Sequence, residues 1–455
     1  MTIAAVAAPR RPLIRAPLRT ALPATVATFA AAIVIAITTT WWPLLVLTTA
    51  AGLALGVAVS IRLDFSLILL AAAVPLEYSV SLGSNPQITL VKLAGGLCFI
   101  SFIIHVAAGR ARLRLDSTHL MLFGILVCTL VSTVTARSLD SALPVALRYA
   151  SYVGLFVVLT AFAGDYRTLK RVVWVLSIAC AVAGALAIRN LLTGFATRAT
   201  PSYGDANDLA YILSTTLPLT LWLLRGRGLQ RVFVLGLVAV ISLADVLTFS
   251  RGAAFGLGCA LVWLAVTRRR QVRAALAPLI LVAVLVGVVA VVQPARLTTA
   301  VTQKAAVAGV NISQRFGAWR SAFELIAAHP LLGVGPGNFQ FQSAAVDGRP
   351  PTDADPTVVH DTYLDVGAEV GLPALALLVA YLVTCFERLR LVMRQRVGPP
   401  SFAVAVAAAL IVAIMSALTL SEQYYAPLWL VGAIVTCMWQ EVRTRPTLVP
   451  VEPNP

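Results

Sequence analysis

The sequence predicts an all-α polytopic transmembrane helical bundle of 12–14 spans, with one long extracytoplasmic loop that carries an amphipathic helix. Three observations predict it. Of 455 residues, 59% are hydrophobic and only 12% charged, where a soluble domain carries about 25% charged residues. Apolar runs of about 16–22 residues follow one another with no alternation of period two. Inside hydrocarbon every backbone N–H and C=O must be paired within the protein, and continuous runs of this length select helices over a closed barrel. Finally, the arginines fall in short clusters between the runs, where they act as topology signals.

In chain order the runs cover roughly 21–40, 43–60, 65–80, 89–108, 118–135, 143–163, 171–189, 208–224, 231–248, 252–267, 274–293, 371–386, 402–420 and 425–439. The third is short. The basic N-terminus (Arg10, Arg11, Arg15, Arg19) followed by Ala21–Thr40 reads as a first anchor that is retained. With the N-terminus in the cytoplasm and sides alternating, every strongly basic loop falls inside: Arg110/Arg112/Arg114, Arg167/Lys170/Arg171, Arg225/Arg227/Arg231, Arg268/Arg269/Arg270/Arg273 and Arg388/Arg390/Arg394/Arg396. With Arg62 and Arg443/Arg445, 24 of the 35 Lys and Arg residues lie inside, and both termini come out cytoplasmic. A net charge of +16 distributed this way marks topology, so no nucleic acid partner is expected.

One integral membrane domain results, with N-terminal helices over 1–293, the outer loop over 294–360 and C-terminal helices over 361–455. A loop of that length is seldom mere connection. The six cysteines (Cys98, Cys128, Cys180, Cys259, Cys385, Cys437) all lie in apolar runs, outside any CxxC pair, and read as packing residues without disulfides.

Four outer-face segments form a candidate site. Ser250-Arg251-Gly252-Ala253 places one arginine at the turn between the ninth and tenth runs. Its guanidinium either snorkels to headgroups or grips a phosphate as a bidentate fork. In Arg315–Ile326, Phe316, Trp319, Phe323 and Ile326 recur at helical spacing, which predicts an amphipathic interfacial helix with Arg315, Arg320 and Glu324 on its polar face. Arg320 and Glu324 are spaced for an intrahelical pair, which leaves Arg315 as the better ligand candidate. Next, His329-Pro330-Leu331-Leu332-Gly333-Val334-Gly335-Pro336-Gly337-Asn338 makes a tight turn. Gly335 and Gly337 serve either that turn alone or a backbone nest for an anion.

The fourth segment is His360-Asp361-Thr362-Tyr363-Leu364-Asp365-Val366-Gly367-Ala368-Glu369, leading back into the membrane. His105 and His119 flank a basic cytoplasmic loop and read as interfacial, and His329 reads as a helix-end residue. His360, near two outer arginines, is the candidate general base, with either Asp361 or Glu369 as its partner. The buried ionisable residues Glu77, Lys92, Arg148 and Asp245 read as interhelical pairs or site support. Asp245, six residues before Arg251, is placed to orient that arginine. Asp353, Asp355, His360, Asp361 and Asp365 match no known ligand spacing, and no metal site is expected.

Ser-Arg-Gly-Ala at 250–253, Arg-x4-Arg-x9-Pro-x2-Gly-x-Gly-x-Gly-Asn-Phe at 315–339 and His-x10-Gly at 360–371, in that order, resemble the O-antigen ligase/polymerase superfamily. Asn207-Asp208-Leu209-Ala210 resembles the same group. The similarity covers about residues 200–380. It implies a plasma-membrane glycosyltransferase of the GT-C type that moves a glycan from a polyprenyl diphosphate carrier to a glycan or glycolipid acceptor. The expected chemistry is metal-independent and cofactor-free, on the extracytoplasmic face, with membrane lipid as surroundings. By motif position Arg251 and Arg315, or else Arg320, hold the diphosphate, and His360 acts in catalysis. Asp361 stands where ligases usually carry an amide or hydroxyl, and Ala374 where a second glycine is common. A lipid-linked oligosaccharide flippase or other transporter is the alternative, and it predicts charges lining a path and symmetric halves.

Overall fold

The computed structural model describes residues 63–77, 79, 90–109, 114–162, 166–202, 204–267, 283–306, 308–346, 358–395, 399–421 and 425–444. All belong to one compact unit, Arg62–Pro455. The first two expected spans, the start of the eleventh and the acidic pair Asp353 and Asp355 lie outside the described residues.

The described chain is helical, without strands. The helices are α1 (Leu63–Leu76), α2 (Leu90–Ala107), α3 (Ser117–Ser132), α4 (Leu139–Phe162), α5 (Tyr166–Thr193), α6 (Ala206–Leu223), α7 (Leu229–Leu247) and α8 (Arg251–Thr267). They continue with α9 (Ala283–Val292), α10 (Pro294–Ala306), α11 (Ala308–Ala328), α12 (Phe339–Val346), α13 (Thr362–Glu369), α14 (Leu372–Gln395), α15 (Pro400–Ser416) and α16 (Ala426–Thr444). Six of these are long and apolar enough to cross a membrane, and four shorter apolar helices accompany them. The chain is thus a multi-pass α-helical membrane protein. Its packing surfaces fit that solvent, since Leu120, Val127 and Leu130 on α3 and Leu139, Leu143 and Leu147 on α4 face outward.

At the centre, Tyr149 of α4, Tyr381 of α14 and Trp429 of α16 meet ring to ring, with centroids 6.2 Å (Tyr149–Trp429) and 5.6 Å (Tyr381–Trp429) apart. The approach of α8 to α15 uses small residues. Gly252, Gly256 and Ala260 recur every fourth residue on α8 and lie buried along α15. A side chain at Gly256 would collide with Ser416 and come within 2.7 Å of the Val412 carbonyl oxygen. Tight contact of this kind replaces the hydrophobic drive that lipid removes.

A buried polar knot ties one end of the bundle. Asp116 caps α3, and Arg388 of α14 reaches it at 3.0 Å through Nη1 while its Nη2 donates to Ser117 Oγ at 2.9 Å. His119 contacts Asp116 Oδ1 through Nδ1 at 3.0 Å and Thr160 Oγ1 through Nε2 at 2.8 Å. Arg388 and His119 therefore differ from their sequence reading as loop and interface residues. Both are buried, because each finds enough partners to replace water.

Among its described residues the loop over 294–360 holds three helices, α10, α11 and α12. In α11 the buried face is formed by Ala318, Ala322 and Leu325, with Trp319 and Ile326 beside them. Phe316 and Phe323 stand about 60% exposed. The packed face is thus rotated from the aromatic stripe toward the alanines, whose small side chains give little signal in a hydrophobic pattern. Arg315 sits at the edge of this packed face and is half-buried, whereas Arg320 and Glu324 lie on the exposed one.

Candidate functional site

At the opposite end from the Arg388 knot, the chain leaves α15 at Ser416 and turns through Ala417–Ser421. Three distant segments converge on this turn. Thr362 donates its N–H to the Ala417 carbonyl at 2.8 Å and its hydroxyl to the Leu420 carbonyl at 2.7 Å. The His360 N–H donates to Ser421 Oγ at 3.0 Å. Arg315 Nη1 donates to the Thr419 carbonyl at 3.3 Å. Gly252 lies against the same turn, where a Cβ would stand 2.6 Å from Thr419 Oγ1 and 2.7 Å from Leu420 Cγ. Five consecutive residues therefore gather the segments carrying Arg251, Arg315 and His360.

Local structure explains how each is presented. Phe249 adopts φ +54° and breaks α7 from α8, so Arg251 opens α8 and stands exposed. A helix N-terminus already carries partial positive charge and outward N–H groups. A guanidinium there adds to that charge, which favours an anion from outside. Among the described residues the hydroxyl of Ser250, just before the helix, has no hydrogen-bond partner. Arg315 is the second cation, and burial together with the nearby Arg251 charge lowers its pKa below the ordinary arginine value. Among the described residues neither arginine has a carboxylate partner. Two guanidinium groups close enough for one charge to act on the other can receive an anion between them.

His360 is half-buried and holds φ +55°, a left-handed conformation unusual for a residue with a side chain. It persists because the neighbouring backbone is clamped on both sides. Trp319 Nε1 of α11 donates to the Val359 carbonyl at 3.0 Å, and Ser421 and Ala417 hold residues 360 and 362. Backbone strain held by its surroundings is common where a side chain must be aimed.

The remaining candidates divide. Arg320 pairs with Glu324 at 2.9 Å with its side chain 83% exposed, away from the packed face. Asp361 caps α13, accepting from the Tyr363 and Leu364 N–H groups at 2.9 and 3.0 Å. Burial raises its pKa against those two hydrogen bonds. Glu369 lies at the glycine turn, with Oε2 accepting from Gly337 N–H at 2.8 Å and Oε1 from Phe339 N–H at 3.2 Å. The acceptor seated in that turn is therefore the chain's own carboxyl group. Burial and the neighbouring Asp365 charge push its pKa well up. Gly335 N–H donates to the Glu369 carbonyl at 2.9 Å. Gly333 needs its φ of +64°, and a Cβ there would strike the Glu369 backbone. Asp245 is buried, and its Oδ1 has no hydrogen-bond partner among the described residues. Thr419 and Ser421 were not legible as site residues, since Thr-Leu-Ser between two spans carries no motif.

The fold and this cluster define a class: a multi-pass membrane protein whose one end presents paired arginines and a clamped histidine. Residues 232–379 match the family model described as O-Antigen ligase, which supports the O-antigen ligase/polymerase superfamily and its general type of function. The matched stretch contains Arg251, Arg315, the glycine turn and His360, and stops before the turn at 417–421. Among curated proteins nothing matches the chain.

Proposed function

We propose that the protein is an extracytoplasmic glycosyltransferase of the plasma membrane, with cytoplasmic termini, that transfers a glycan from a polyprenyl diphosphate carrier to an acceptor hydroxyl. The convergence of the Arg251, Arg315 and His360 segments on Ala417–Ser421 carries this reading. His360 takes the proton of the acceptor hydroxyl as its oxygen attacks the anomeric carbon. The bond from that carbon to the diphosphate oxygen breaks with its electron pair, and the diphosphate leaves. Arg251 and Arg315 stabilise the charge that develops on it, a role two guanidinium groups fill without a metal. Inversion at the anomeric carbon follows from a single displacement. Arg315 is preferred to Arg320 because it faces Arg251 half-buried, while Arg320 is exposed and paired.

The test is transfer by purified protein in nanodiscs, given a polyprenyl-diphosphate-linked glycan and a lipid-linked acceptor. Arg251→Ala, Arg315→Ala and His360→Ala should each lower the rate by a factor of about 100 or more, and Arg320→Ala by less than about threefold. Full activity in His360→Ala or Arg251→Ala would overturn the assignment.

A further inference from the structure

Away from the candidate site, α6, α8 and α15 part to leave an apolar groove. The outer halves of α8 and α15 are held together through Gly252 and Gly256. Further along, the small side chains of Ala260, Ala405 and Ala408 leave about 160 Å³ of free space, walled by leucines such as Leu221 and Leu261. From Leu257 to Leu264 the groove runs about 10 Å at 1.5 Å per residue. That is about two thirds of one leaflet's hydrocarbon depth of ~15 Å. A single acyl chain fits this shape.

The mouth is polar. Arg225, just past the end of α6, lines the groove with Trp222 and Ser401. The Trp222 indole N–H donates to Ser401 Oγ at 3.3 Å, which leaves the serine proton for an outside acceptor. Tyr166 stacks edge-on against Trp222 and Phe402, with centroids 6.0 and 5.4 Å away, and stiffens this rim. Among the described residues Arg225 has no carboxylate partner. A guanidinium with no carboxylate partner among the described residues, above a chain-wide apolar slot, complements a phosphate above an acyl chain.

We propose that this groove binds one anionic phospholipid of the leaflet opposite the candidate site. The headgroup phosphate lies on Arg225 and Ser401, and one acyl chain lies between α6, α8 and α15. A zwitterionic headgroup fits less well, because its own cation competes for the phosphate beside Arg225. With the candidate site extracytoplasmic, this leaflet is the cytoplasmic one, where anionic lipids attract basic side chains. Because α8 carries both the groove wall and Arg251, the lipid braces the helix that presents the first arginine.

Native mass spectrometry of the full chain, released from micelles with added phosphatidylglycerol or phosphatidylcholine, tests this. One phosphatidylglycerol should remain bound to the parent protein in preference to phosphatidylcholine. Its retention should fall about tenfold in Arg225→Gln, the effect of losing one charge-assisted contact. Leu261→Trp, which fills the groove from its partly exposed wall, should show the same loss. Arg225→Gln decides the matter alone if that variant misfolds. Equal retention of the two lipids, or unchanged retention in Arg225→Gln, overturns the proposal. Displacement by equimolar polyprenyl phosphate also overturns it and assigns the groove to a carrier tail. Arg251→Ala should keep its phosphatidylglycerol while losing transfer, so the lipid site and the transfer reaction can fail independently.

Discussion

Ser421→Ala probes how the proposed base is held. The Ser421 hydroxyl accepts the His360 N–H at 3.0 Å in a partly buried position. A donor left without its partner there costs about 1–3 kcal/mol. His360 also sits in a left-handed conformation, which costs about 1–3 kcal/mol by itself and is maintained by its surroundings. Once the hydroxyl is gone, the segment can relax toward negative φ and swing the imidazole away. If the lost contact falls wholly on the catalytic geometry, kcat drops about 5- to 140-fold, at about 1.4 kcal/mol per factor of ten. The KM for donor should move little, because Arg251 and Arg315 remain in place. Ser421→Thr keeps the hydroxyl and should recover most of the rate. The assay is transfer of a polyprenyl-diphosphate-linked glycan in nanodiscs, with His360→Ala as reference. A Ser421→Ala protein within twofold of the parent, beside an inactive His360→Ala, would refute the clamp. An active His360→Ala would instead remove its purpose.

Two further predictions concern stability. The Glu369 pKa is raised in the folded state, so its contribution is fully present below the ordinary carboxylate range and is lost as pH rises from there toward the raised value. Thermal melting in detergent should fall with rising pH across that window, and less steeply in Glu369→Gln; an identical slope would contradict the assignment. Arg388→Ala strands Asp116 among buried partners and should cost about 3–5 kcal/mol, read as a lower melting temperature, whereas the exposed Arg390→Ala should change little.

Much of the architecture was legible because it follows from the solvent. Long apolar runs bounded by arginines can only be helices in lipid, and α2 to α5, α7 and α14 lie where the runs predicted. The Arg320–Glu324 pair was legible too, since it depends only on helical spacing. What stayed hidden depends on contacts between distant segments. Nothing local distinguishes Ala417–Ser421 from any other turn, yet it receives hydrogen bonds from residues 315, 360 and 362. The side of α11 that packs against the protein was hidden for a related reason. Alanines pack against Val334, Phe339 and Val359 because space is short there, not because they are strongly apolar. Arg388 reads from sequence as one more topology charge, and only the fold brings Asp116 to it.

The late position of Ala417–Ser421 in the chain bears on biogenesis. Synthesis runs from the N-terminus, so Arg251, Arg315 and His360 all leave the ribosome before the turn that seats them exists. Until α15 and the start of α16 have been inserted, Thr362 and His360 lack the acceptors that hold them, and Arg315 lacks the Thr419 carbonyl. A nascent chain stalled before residue 417 would carry every matched motif in an unassembled state. Completion of the α15–α16 hairpin is thus the step at which the segments carrying Arg315 and His360 first gain the acceptors that seat them.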